Sequence, residues 1–173
     1  ISFVVIFHFF GVSLTTLLFF VLSISFVIIF FIDFKHFIIP NELTYPLMII
    51  GLLKSFDPNL NTTLFPNLVN SLAGGFFGYT IIWLIIFTYK KIRNKEGMGL
   101  GDAKLLSAIG FWFGWMSIPF IIFFSSIAAL ISVIPDLITN KKKLSSQIPF
   151  GPFIIIGTLI FLFSNDYIKI FLN

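Results

Sequence analysis

Cysteine is absent from this 173-residue chain, which excludes disulfides, thiol nucleophiles and thiolate metal sites. Histidine is almost absent as well: His8 and His36 are the two present, too few for a histidine-rich metal centre. Charge is scarce, with 10% of residues charged and seven acids in all, whereas about a quarter of the residues of a soluble domain are charged. What fills the chain is apolar: 58% of residues are hydrophobic and the mean hydropathy is +1.06. Such a composition belongs to a polytopic membrane protein. The length leaves room for about six or seven spans of roughly 20 residues and for no sizeable soluble domain.

A net charge of +4 would suggest a nucleic-acid partner in a soluble protein. Here the basic residues cluster in loops between apolar runs, so membrane topology accounts for them and no nucleic acid is expected. The runs are Val12 to Ile32, Leu43 to Leu53, Leu68 to Tyr89, Leu105 to Trp115, Ile118 to Ile138 and Phe150 to Phe163, with a polar, proline-containing stretch from Lys54 to Asn67. Ile1 to Phe10 reads as the end of a truncated span, with more sequence expected upstream. The expectation is an all-α transmembrane bundle of about six spans plus a partial N-terminal one, forming a single membrane-embedded domain over residues 1–173.

If the spans alternate, Lys35, Lys90, Lys91, Arg93, Lys95, Lys104 and Lys141 to Lys143 fall on one side, nine of the eleven basic residues. Lys54 and Lys169 remain on the other. The positive-inside rule then makes the first side cytoplasmic. Gly74, Gly75 and Gly78 form a small-residue cluster suited to close helix contact. The 26 phenylalanines read as lipid-facing filler, and Trp83, Trp112 and Trp115 as interfacial or lipid-facing anchors.

Two of the seven acids border apolar runs on the cytoplasmic side: Asp33 and Asp102. A carboxylate retained near a membrane span is a functional-site hypothesis by default. Two at one depth can meet, and a pair sharing a proton suffices for peptide hydrolysis. The ionised member takes a proton from water while the neutral one polarises the scissile carbonyl. Plainer readings stand beside this one. Asp102 suits a helix N-cap, and Asp33 suits a solvated ion pair with Lys35. Lys35 and Lys104 follow their aspartates by two positions and either tune their charge or, as the commoner behaviour, extend toward headgroups. His36 reads as solvated, His8 as a packing residue, and Asp136 as a salt-bridge partner of Lys141 to Lys143. A transporter or proton relay using the same acids is the competing class.

The segment Asp33 to Thr44, Asp-Phe-Lys-His-Phe-Ile-Ile-Pro-Asn-Glu-Leu-Thr, resembles the first signature of the prepilin peptidases. Glu96 to Leu106, Glu-Gly-Met-Gly-Leu-Gly-Asp-Ala-Lys-Leu-Leu, is similar to their second, which carries the Gly-x-Gly-Asp motif of a class of membrane aspartic proteases. Pro149-Phe150-Gly151-Pro152 resembles a third marker at the start of the last span. The resemblance covers roughly residues 1 to 164 and implies Asp33 and Asp102 as the catalytic pair. The implied support is Gly97, Gly99, Gly101, Pro40, Asn41, Pro149, Gly151 and Pro152. The glycines read as a flexible approach along which an extended substrate can lie, and Pro40-Asn41 as the start of a helix with capping groups. Pro149, Gly151 and Pro152 read as a kinked or re-entrant entry to the last span.

The implied substrate is a type IV prepilin or pseudopilin, with a basic leader ending in Gly followed by an apolar helix. The implied location is the cytoplasmic (inner) membrane of a bacterium or archaeon, with the site near the cytoplasmic face. Membrane lipid is the other expected partner, no cofactor or metal is called for, and no feature specifies an oligomeric state. Many members of the family carry an upstream domain with two Cys-x-x-Cys pairs, associated with zinc and N-methylation. This cysteine-free chain is not credited with methyl transfer.

Overall fold

The computed structural model describes residues 14–60, 65–93, 99–138 and 148–172. Ile1 to Phe10 with His8, Lys95 to Gly97 and Lys141 to Lys143 lie outside the described residues, as do the side chains of Asp136 and Lys169. Six α-helices follow one another among the described residues: α1 (Leu14–His36), α2 (Asn41–Lys54), α3 (Leu68–Arg93), α4 (Leu100–Phe113), α5 (Ser117–Ile138) and α6 (Gly151–Leu172). A single 3-10 turn, Pro58–Leu60, follows α2, and no strand occurs among the described residues. Among the described residues, three helices are long and apolar enough to cross a membrane, at Leu14–His36, Leu68–Ile92 and Ser117–Ile134. The protein is an all-α integral membrane protein.

Helix α4 is the centre of the bundle. Its residues Ala103, Leu105, Leu106, Ala108, Ile109, Trp112 and Phe113 are all buried, and it packs against α2, α3, α5 and α6. The longer helices form the exterior and present large apolar side chains outward, among them Phe31 on α1, Phe76 on α3 and Phe123 on α5. In lipid, burial of such side chains supplies little attraction between helices, so small residues and interhelical hydrogen bonds carry the association. The α3–α4 seam is built this way. A side chain at Gly74 would run into the carbonyl of Gly110, and one at Gly110 into the carbonyl of Gly74. A Cβ at Gly78 would lie 2.6 Å from the Leu106 carbonyl oxygen. The Ser71 hydroxyl donates to the Phe111 carbonyl at 2.6 Å and the Ser107 hydroxyl to the Gly75 carbonyl at 2.8 Å. The glycine cluster thus serves close helix contact, as its spacing suggests.

Two readings change. Trp112 is neither interfacial nor lipid-facing: it is fully buried, and its indole N–H donates to the Leu47 carbonyl at 2.8 Å. Trp83 and Trp115 are exposed. The phenylalanines divide, since Phe19, Phe26, Phe65, Phe113 and Phe161 belong to the core, where Phe19 stacks on Phe65 with centroids 5.1 Å apart.

Lys54, at the start of the polar stretch, is buried too. Its ammonium lies 4.3 Å from the centroid of Phe65 and 5.9 Å from that of Trp112, and among the described residues it has no hydrogen-bond partner. Ring faces attract a desolvated cation, yet they do not replace three hydrogen bonds to water. Lys54→Met keeps the chain's volume and its aromatic contacts while removing that desolvation cost. The expected result is a gain of about 1 kcal/mol, a rise of roughly 2–4 °C in the thermal midpoint of the detergent-solubilised protein.

Candidate active site

Asp33 lies one turn before the end of α1 and is 4% exposed. The helix stops just after it because Phe37 adopts a left-handed φ of 58°, its N–H bonding to the Asp33 carbonyl at 2.9 Å. A bulky residue in that region is unusual and marks a sharp change of direction. The chain then passes through Ile39 to Pro40, extended at φ −66° and ψ 135°, and α2 begins at Asn41. Pro40 is the N-cap residue, and its carbonyl accepts from the amides of Leu43 and Thr44. No side chain caps this end. Pro40-Asn41 does start a helix, but the Asn41 amide group is employed elsewhere: its Oδ1 accepts from Lys104 Nζ at 2.7 Å.

The solvated ion pair proposed for Asp33 does not form. Asp33 Oδ2 instead accepts from the backbone N–H of Gly151 at 3.0 Å, joining the end of α1 to the start of α6 across the chain. Gly151 allows this approach, since a Cβ there would lie 2.7 Å from Asp33 Oδ2 and 3.0 Å from Ile39 Cδ1. Pro149 precedes this helix start, half-buried, and Pro152 is buried in its first turn. There a missing N–H costs nothing, because no carbonyl one turn earlier awaits it. The Pro-Phe-Gly-Pro segment therefore begins a continuous helix rather than kinking one.

Asp102 is the third residue of α4, 7% exposed. The N-cap residue is Gly99, extended at φ −83° and ψ 150°, so Asp102 is not the cap. Its carboxylate reaches back to the backbone amide of Gly99, the return half of a capping box. It also lies within electrostatic reach of Asp33. The two buried acids predicted from sequence are brought to one place by α1 and α4.

The glycines before Asp102 have separate roles. Gly97 lies outside the described residues. At Gly99 an added Cβ would make ordinary contact, with the Gly101 nitrogen at 3.8 Å and Asp102 Oδ2 at 4.0 Å among the described residues. Gly101 is helical, not part of a flexible approach, and a Cβ there would meet Ile39 Cβ at 2.9 Å. Ile39, 8% exposed, is thus wedged between the Gly101 backbone and that of Gly151. An aliphatic residue before Pro40 is all that marks this wedge in the sequence. Lys104, read as extending toward headgroups, is instead held by Asn41 and lies 5.3 Å from the ring centroid of Tyr45.

These features define a helical membrane protein with two buried carboxylates from separate helices, joined by three short segments at the starts of α2, α4 and α6. Residues 20–134 match the Type IV leader peptidase family, and the chain belongs to that family. Among curated relatives it is 35% identical over 138 residues to a prepilin leader peptidase/N-methyltransferase of Aeromonas hydrophila, covering 80% of this chain and 46% of the relative. It is 37% identical to that of Pseudomonas aeruginosa, covering 79% of this chain and 46% of the relative. With that of Dichelobacter nodosus it shares 33% identity over 159 residues, 87% of this chain and 52% of the relative. The chain spans about half the length of the curated relatives it matches. No solved structure matches it.

Proposed function

We propose that this chain is a membrane-embedded aspartic endopeptidase that removes the basic leader from type IV prepilins or pseudopilins, with Asp33 and Asp102 as its catalytic pair. The observation that carries the reading is a pair of buried carboxylates, one on α1 and one on α4, within electrostatic reach of each other in a member of this family. One carboxylate accepts a proton from water, whose oxygen attacks the scissile carbonyl. The other, protonated, donates to that carbonyl oxygen. Collapse of the tetrahedral intermediate breaks the C–N bond as a proton passes to the leaving amine, leaving a carboxyl on the leader and a free amino terminus on the pilin. The Gly151 amide fixes one carboxylate oxygen of Asp33, and the Gly99 amide restrains Asp102.

The bias of nine of eleven basic residues to one side supports a site at the cytoplasmic face of the inner membrane, where a basic leader resides. Only the peptidase reaction is assigned to these residues. The test is to incubate the purified chain in detergent with a type IV prepilin and look for the shortened product. Absence of cleavage, with acid-dependent ion flux in liposomes, would favour a proton relay. The Gly151 contact has its own outcome. Gly151→Ala inserts a methyl against Asp33 and Ile39 and is expected to lower kcat about tenfold or more, since displacements on the order of 1 Å are that costly.

A further inference from the structure

The first turn of α4 is gripped at two points by the segment that begins α2. Ile39 fits against the bare backbone of Gly101 on one side. On the other, Lys104 Nζ donates to Asn41 Oδ1 at 2.7 Å and lies over the ring of Tyr45. Asn41 and Tyr45 are four residues apart on α2 and so share one face. Asp102 stands between the two gripped residues.

Among the described residues no N-cap side chain holds this helix start, since the N-cap residue is Gly99. A lysine that merely reaches for headgroups needs no fixed acceptor, whereas this one has a short bond to a single amide oxygen and a ring beside it. Nor is it set to tune the acid's charge. Two residues along a helix is a rotation of roughly 200°, which turns Lys104 away from the Asp102 carboxylate.

We propose that the Lys104–Asn41 bond, backed by Tyr45, is a positioning clamp that fixes the approach of Asp102 to Asp33. The inference rests on the aspartic-pair reading. Lys104 acts through the placement of another residue and makes no contact with the reacting atoms. It ties the second signature segment to the first, so that a shift of either moves one carboxylate relative to the other.

The test is steady-state cleavage of a prepilin by the full chain in detergent, with thermal unfolding measured on each variant. Lys104→Met and Asn41→Ala are each expected to lower kcat about tenfold while KM moves less than about twofold, because ground-state binding is untouched. Combining them should cost no more than either alone, the mark of two residues acting through one bond. Asn41→Asp should recover most of the kcat lost in Asn41→Ala, since a carboxylate also accepts from the ammonium. Asp102→Asn is run beside them. If it is inactive while Lys104→Met and Asn41→Ala keep full kcat, the clamp is refuted and the aspartic pair stands. If Asp102→Asn itself cleaves, the pair falls and the clamp with it. Additive losses, or losses that track a lowered thermal midpoint with no split between kcat and KM, also overturn the clamp.

Discussion

Asp33→Asn and Asp102→Asn are each expected to reduce leader cleavage by about three orders of magnitude or more while the protein still inserts and folds, read as loss of shortened prepilin in a purified assay. Asparagine has the shape of aspartate but can neither take a proton from water nor give one to a carbonyl. Its oxygen can still accept from the Gly151 amide in place of Asp33 Oδ2, and from the Gly99 amide in place of the Asp102 carboxylate. The helix ends therefore keep their partners, and only the acid–base chemistry is removed. If Asp102 served solely to complete the α4 terminus, Asn would substitute nearly without effect. Full cleavage by either variant would remove that residue from the reaction.

Gly110→Val should be the most damaging substitution away from the site. A Cβ at residue 110 would press on the carbonyl of Gly74 and lie 2.9 Å from the Gly75 nitrogen, both backbone atoms that no rotamer change can clear. Relief requires α3 and α4 to separate, which strains the Ser71 and Ser107 bonds that cross the same seam. A loss of roughly 3 kcal/mol or more follows, seen as a lower thermal midpoint in detergent and a poor yield of monodisperse protein. Gly99→Ala is the contrast. Among the described residues its new methyl makes only ordinary contact, at 3.8 Å or beyond, and the extended backbone there suits any residue, so the midpoint should not move.

The helices could be read from sequence because long apolar runs separated by basic loops leave the backbone little alternative in lipid. The acids could be read because charge near such runs is rare and both carry recognisable neighbours. What escaped was the facing of individual side chains. Helix α4 is buried on most of its circumference, so it shows no apolar stripe to separate core from lipid. Trp112 consequently looked like an anchor, and Lys54 like an ordinary cation at a loop. The Asp102 cap reading failed by three residues, because α4 starts at Leu100, ahead of the apolar run that marked its expected beginning. The Asn41–Lys104 bond joins residues far apart in sequence and leaves no periodic trace.

The bond from Gly151 to Asp33 also sets an order in time. Its two residues lie 118 positions apart, so Asp33 is made long before the amide that secures it. During synthesis α1 and α4 are both made while the Asp33 carboxylate still lacks this bond. Only when the start of α6 has emerged and docked does Asp33 gain this partner. A chain built this way comes into register at the end of its own biogenesis, and a nascent chain halted before Gly151 carries both acids without the contact that fixes the first of them.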